Sequence, residues 1–135
     1  MPDAIVDWAL ARGIVVVLPA VSDAKTLVFR RYQRGDVLAA GGFDTLAPTR
    51  EAPEIDPDLV ISPMVAFDRA GTRLGHGRGF YDRGVGHLRA RGLRPMLIGI
   101  AFAAQEVDAI PAEPHDIRMD WIVTENETLD FHRGR

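Results

Sequence analysis

Apolar positions along this chain follow two rhythms, one helical and one of short unbroken runs. Ile5, Trp8 and Ala9 fall at helical spacing between Asp3, an N-cap, and Gly13, a stop, and predict a first helix. Residues 14–18 form a β-branched and aliphatic run closed by Pro19, the pattern of a strand buried on both faces in a parallel sheet. Residues 26–32 have strand-forming side chains but turn polar along their length, which suits a place nearer a sheet edge. Residues 35–57, rich in Gly, Pro, Asp and Thr and without a sustained period, read as a long loop, a feature that compact domains tend to use.

A second buried strand is expected at 59–61, extended by 65–67 and interrupted at Ser62-Pro63. Further on, Tyr81, Val85 and Leu88 keep a helical stripe up to Arg91-Gly92, although Gly84 and Gly86 each cost that helix about 1 kcal/mol relative to alanine. Residues 96–102 predict a third strand, 105–110 a short helix stopped by Pro111, and 121–124 a last strand. Strands alternating with helices predict an α/β fold, a three-layer α/β/α sandwich on a mostly parallel sheet.

Composition narrows this picture. At 135 residues and 47% hydrophobic, the chain suits one domain with a real core, spanning 1–135. No apolar run approaches bilayer length and no signal region stands at the front, so a soluble, cytoplasmic and monomeric protein without a membrane partner is expected. A formal charge of −3 argues against a nucleic-acid partner. The lack of cysteine removes disulfides, thiolate catalysis and sulfur-ligated metals. Lys25 is the only lysine, so cationic contacts fall to arginine, which suits planar recognition of phosphate or carboxylate.

The chemistry concentrates in Arg73, Leu74, Gly75, His76, Gly77, Arg78, Gly79, Phe80, Tyr81, Asp82 and Arg83. Three alternate glycines between a strand and a helix let consecutive backbone N–H groups converge, and the helix adds its positive dipole end. That is a cradle for a phosphate or another anion at the carboxyl end of a strand, where open α/β sheets bind ligands. A dinucleotide fingerprint needs a third glycine one residue later and a place after the first strand, so a nicotinamide or flavin cofactor is disfavoured. With phosphates in the cradle, Asp82 becomes a candidate Mg2+ ligand, and Arg73 and Arg78 neutralise the remaining charge.

Glu113-Pro114-His115-Asp116 is a second polar cluster, and Asp116 brought next to Asp82 would supply another hard oxygen ligand. Read alone, it better suits an ordinary turn in which Asp116 caps backbone donors. His115 has no evident serine or cysteine partner, so no nucleophilic triad is expected. Tyr81 is in phase with the core stripe, whereas Phe80 and Phe43 are the aromatic pocket candidates.

Residues 58–63, Ala66-Phe67-Asp68, Gly71, the stretch 73–83, Ala101-Phe102 and Pro114-His115-Asp116, in that order and spacing, resemble the 5-formyltetrahydrofolate cyclo-ligase family. The resemblance implies an α/β fold and a reaction in which Mg-ATP phosphorylates the formyl oxygen of 5-formyltetrahydrofolate. N10 then closes the ring to give 5,10-methenyltetrahydrofolate, ADP and phosphate. It also implies residue roles. Arg73, Leu74, Gly75, His76, Gly77, Arg78, Gly79, Phe80 and Tyr81 would hold the nucleotide, with 76–80 also facing the folate. Arg78 and Asp82 would act in catalysis, and Asp82 and Asp116 would hold Mg2+.

Two departures from the family pattern are visible. Phe80 stands where tyrosine is common, which removes a hydroxyl. The chain also starts at what looks like the helix following a further N-terminal segment that supplies phosphate and folate contacts in the family. The alternatives to a ligase are a non-catalytic nucleotide- or folate-binding relative and a plain α/β domain whose glycines only make a turn.

Overall fold

The structure, a computed structural model, describes residues 3–21, 27–40, 46–74, 80–111 and 117–131. It divides into two compact units, 1–57 and 58–135.

The first unit opens with helix α1 (Asp3–Ala11). Gly13, at φ 72°, ends it, its N–H donating to the Leu10 carbonyl at 3.1 Å while the Ile14 N–H donates to the Ala9 carbonyl at 3.0 Å. These two bonds satisfy terminal carbonyls and require a left-handed residue, which glycine adopts without a Cβ clash. The helix buries Val6 and Ala9, one turn apart on one face, rather than Trp8, which is 52% exposed under the Arg12 guanidinium, 4.3 Å from its ring.

Strands β1 (Val16–Val21) and β2 (Leu27–Tyr32) form an antiparallel hairpin, with Val16 opposite Tyr32 and Val21 opposite Leu27. This corrects the doubly buried parallel strand expected at 14–18. Ile14 and Val15 precede the strand and are largely exposed, Val16, Val17 and Leu18 are half-buried, and the strand continues through Pro19. An apolar run records that burial is tolerated, not which partner the backbone finds, and here the next strand in sequence takes it.

The predicted loop 35–57 also holds structure: β3 (Leu38–Ala40) and β4 (Leu46–Pro48) pair antiparallel, Leu38 opposite Pro48. Three-residue strands are too short to show a period. Beyond them, the Arg31 N–H donates to the Pro53 carbonyl at 2.9 Å and the Ile55 N–H to the Phe29 carbonyl at 3.0 Å. The second side of β2 is therefore covered, not a bare edge.

The second unit is built on a four-stranded sheet of β5 (Leu59–Pro63), β8 (Met96–Ile100), β9 (Trp121–Val123) and β10 (Thr128–Asp130), in the order β10-β9-β8-β5. β5 and β9 run parallel to β8, with Leu59 opposite Met96 and Ile98 opposite Trp121, and β10 folds back antiparallel on β9. Between β5 and β8 the chain makes the short hairpin β6 (Ala66–Phe67) and β7 (Arg73–Leu74), then helix α2 (Phe80–Ala90). The class is α/β and the sheet mostly parallel. Among the described residues of this unit one α-helix accompanies the sheet.

Met64, Phe67, Val85, Leu97, Met119 and Ile122 make its core, and Leu88 is as deeply buried as Val85. Full burial of side chains such as Leu97 and Ile122 contributes about 1.5–3 kcal/mol each. The expected stripe of α2 is thus seen at Val85 and Leu88. The helix ends as α1 does, with Gly92 at φ 85°, its N–H donating to Arg89 and that of Leu93 to Leu88, both at 3.0 Å.

Three expectations are corrected. The strand at 59–61 runs on through Ser62 and Pro63, and 66–67 does not extend it but turns to pair with β7. Residues 105–110 are not a helix: a short 3-10 turn covers Ala103–Gln105, and the Val107 N–H donates at 2.8 Å to the Phe67 carbonyl instead of to its own turn. β10 had no strand pattern in the sequence, since Thr128-Leu129-Asp130 carries one apolar residue.

Candidate functional site

The stretch 73–83 is held by the β6–β7 hairpin on one side and α2 on the other. Ala66 pairs with Leu74 and Phe67 with Arg73. The hairpin is tied to the sheet's carboxyl end by the Val65 N–H, two residues beyond β5, which donates to the Leu74 carbonyl at 2.8 Å. Leu74, the last described residue before the glycines, is thereby placed beside the carboxyl end of β5, the end at which open α/β folds bind ligands.

Of the predicted site residues, Arg73 opens β7 with its side chain half-buried, and Leu74 follows, 51% exposed. Phe80 and Tyr81 are the first two residues of α2. Asp82 lies in the first helical turn, half-buried, where a carboxylate is favoured by the helix dipole. Gly75, His76, Gly77, Arg78 and Gly79 lie outside the described residues, as do Phe43, His115 and Asp116. Among the described residues no cluster of three or more His, Asp or Glu side chains could hold a metal ion. A metal site here needs oxygen atoms beyond Asp82, the donor type that Asp116 and nucleotide phosphates would bring and that Mg2+ prefers.

The turn linking β6 to β7 is organised by Asp68, which is 4% exposed. Its Oδ1 accepts from the backbone N–H groups of Ala70 and Thr72, both at 3.0 Å, and its Oδ2 from that of Ile110 at 2.9 Å. The Asp68 N–H donates to the Thr72 carbonyl at 3.1 Å, and Gly71 completes the turn at φ 85°. A β-carbon on Gly71 would stand 3.2 Å from Phe131 Cγ and 3.3 Å from the Met119 carbonyl oxygen, so only glycine fits without strain.

Gln105 makes a second tie. Its Nε2 donates to the carbonyls of Met64 at 3.0 Å and Val65 at 3.2 Å, and its Oε1 accepts from the Phe102 N–H at 2.7 Å. The residues just past β5 and β8 are thereby clipped together, with Phe102 left 69% exposed. Nearby, Arg69 bridges two carboxylates, meeting Glu106 Oε2 at 3.0 Å and Glu127 Oε2 at 2.9 Å. The hydrogen bond from Arg69 holds the Glu127 carboxyl below its usual value, and the guanidinium is raised in turn.

Asp68 is among the residues that carry the family resemblance, but the sequence suggested no tying role for it, nor for Arg69 or Gln105. Asp68-Arg69-Ala70-Gly71 does carry a signal for one of them, since an aspartate that turns its side chain onto the following N–H groups before a glycine is a common turn device. Nothing local could reveal that Asp68 also reaches Ile110, 42 residues away.

Residues 2–125 match the model of the 5-formyltetrahydrofolate cyclo-ligase family. The chain is 36% identical over 129 residues to the 5-formyltetrahydrofolate cyclo-ligase of Mycolicibacterium smegmatis, an overlap of 90% of this chain and 65% of that protein. It is 28% identical over 128 residues to the Escherichia coli protein of the same name, covering 92% of this chain and 69% of that one. The fold is similar to the NMR structure of Aquifex aeolicus 5,10-methenyltetrahydrofolate synthetase, with a TM-score of 0.77 and 28% identity across 98% of this chain and 66% of that one. The chain thus spans about two thirds of the length of these relatives.

Proposed function

The chain belongs to the 5-formyltetrahydrofolate cyclo-ligase family, and on that premise we propose that it uses ATP to convert 5-formyltetrahydrofolate to 5,10-methenyltetrahydrofolate, releasing ADP and phosphate. The observation that carries this reading is the family match from residue 2 to 125, which includes the whole of the candidate site. The match runs through both compact units and supports a single ligase-like domain over 1–135. We read the enzyme as a cytoplasmic monomer without nucleic-acid or membrane partners. Its net charge of −3 supports the lack of a nucleic-acid partner.

The nucleotide is held by Arg73, Leu74, Gly75, His76, Gly77, Arg78, Gly79, Phe80 and Tyr81. Support comes from the two ends of this stretch, a β7 terminus pinned at the sheet's carboxyl end and the N-terminus of an eleven-residue helix. Backbone N–H groups of this stretch would donate to phosphate oxygens, and the Arg78 guanidinium would balance the charge on the transferred phosphoryl group. The formyl oxygen accepts that group, which turns a poor leaving oxygen into a good one. The substrate's own N10 then closes the ring, so the protein supplies position and charge rather than a nucleophile.

Asp82 and Asp116 would hold Mg2+. The half-buried Asp82 in the first turn of α2 fits that role, as a hard oxygen donor beside the stretch that binds phosphate. The ion would supply positive charge to offset that of the phosphates.

The test is ATP-dependent formation of methenyltetrahydrofolate by the purified chain, followed by absorbance, with Asp82→Asn alongside. The expected outcome is turnover that falls by about 100-fold or more in the variant, the range for losing one electrostatic contact to the transition state. A folded wild-type chain that makes no product, or an Asp82→Asn variant that works as well as wild type, would overturn the assignment.

A further inference from the structure

The carboxyl ends of the parallel strands in the second unit carry apolar side chains that stay in water. Val65 follows β5, Phe102 follows β8 and Val123 ends β9, and all three are exposed. Leu74, exposed as well, is joined to them, since its carbonyl accepts from the Val65 N–H at 2.8 Å. A single exposed apolar residue is ordinary on a protein surface. These four gather at one end of one sheet, the end at which open α/β folds bind ligands.

Phe102 stands out among them. At 69% exposed it is the most exposed aromatic ring among the described residues, yet the backbone that carries it is fixed on every side. Its N–H donates to Gln105 Oε1 at 2.7 Å, and its carbonyl accepts from the Gln105 N–H at 2.9 Å. On one flank the Ala103 N–H donates to Glu125 Oε1 at 2.6 Å, and on the other the Ala101 N–H donates to the Val123 carbonyl at 3.1 Å. Gln105 also donates from Nε2 to the Met64 and Val65 carbonyls, so its whole carboxamide serves this corner. A ring that gains little from burial is thus held in a fixed place. Fixing a contact residue in advance lowers the ordering cost of binding.

We propose that Phe102 is a binding residue at the sheet's carboxyl end, a platform on which a flat heterocycle stacks, with Val65, Leu74 and Val123 as its apolar surroundings. An aromatic face accepts any planar ring, and aliphatic neighbours exclude water from its rim. The proposal rests on the ligase reading above, whose two substrates each bring such a ring, the purine of ATP and the pterin of 5-formyltetrahydrofolate.

Calorimetric titration with ADP, with 5-formyltetrahydrofolate and with inorganic tripolyphosphate, which has no ring, separates the sources. Wild type, Phe102→Ala and Phe102→Tyr are compared, and turnover is followed in parallel. Because the ring is exposed, neither substitution disturbs the core, and matching urea midpoints check this. Phe102→Ala is expected to weaken ADP or 5-formyltetrahydrofolate by about fivefold or more, the scale for removing one ring-on-aromatic stack. The ligand that loses affinity identifies the ring. Phe102→Tyr, which keeps the aromatic face, is expected to stay within about twofold of wild type, and tripolyphosphate to bind all three chains alike. Unchanged affinity for both ring ligands in Phe102→Ala, an equal loss in Phe102→Tyr, or an equal loss for tripolyphosphate would overturn the proposal while wild-type turnover keeps the ligase reading standing. A wild-type dimer that Phe102→Ala dissociates without changing either affinity would give the patch to a second copy and overturn it too. A folded wild-type chain that neither turns over nor binds ADP or 5-formyltetrahydrofolate would remove the ligase reading and this inference together.

Discussion

Gly71 and Gly92 offer a controlled measurement of how tightly the turn beside the candidate site is packed. Both are in the second unit and both sit at φ 85°, so alanine at either position meets the same backbone penalty. That penalty is about 1–2 kcal/mol for a left-handed residue with a Cβ, less about 0.4–1 kcal/mol recovered because alanine restricts the unfolded chain. The surroundings differ. A β-carbon at Gly92 meets nothing within 4 Å, whereas at Gly71 it stands 3.2 Å from Phe131 Cγ and 3.3 Å from the carbonyl oxygen of the buried Met119. Phe131 can shift, but the Met119 backbone is held by its own N–H bond to the Gly71 carbonyl.

Overpacking of this kind adds about 1–3 kcal/mol. Gly92→Ala is therefore expected to cost about 1 kcal/mol, and Gly71→Ala about 2–4 kcal/mol. Urea unfolding followed by circular dichroism reads both, and the difference between the two midpoints isolates the packing contribution. Equal costs would refute the reasoning, since they would mean that Phe131 and Met119 do not crowd this turn.

Further outcomes are expected elsewhere. Gly86, inside α2, has open space where a β-carbon would go, so Gly86→Ala should stabilise the chain by about 0.5–1 kcal/mol, read as a raised urea midpoint. The Glu127 carboxyl is held low by Arg69, so its contribution is present above its ordinary value and is lost as pH falls through the lower folded value. Wild type should therefore exceed Glu127→Gln in urea midpoint near about pH 6 and lose that lead toward about pH 3, a gap that salt also narrows because the pair is exposed. A gap that widens on acidification would contradict the sign.

How much of this was legible in advance depended on range. The runs at 14–18, 59–61, 96–102 and 121–124 were readable as strands, and most of each is strand, because β-branched and aliphatic residues that exclude water announce themselves without a partner. Gly13 and Gly92 were readable as helix stops because the left-handed conformation is a property of one residue. The order Arg73 to Asp82, with alternate glycines before a helix, suggested a phosphate cradle, and of it the structure describes Arg73, Leu74 and the helix that starts at Phe80.

Pairing was not legible in the same way. Residues 14–18 suggested a buried parallel strand, yet β1 lies antiparallel to β2, since hydrophobic content is indifferent to strand direction. Residues 105–110 suggested a helix, yet Val107 and Ile110 give their N–H groups to Phe67 and Asp68, partners far away in sequence that no local pattern reveals. The sequence by itself determined which segments seek burial, because that follows from the residues' own chemistry. Only the tertiary structure decided that Asp68 closes its own turn and reaches Ile110 as well, because a hydrogen bond across 42 residues depends on the path of everything between them.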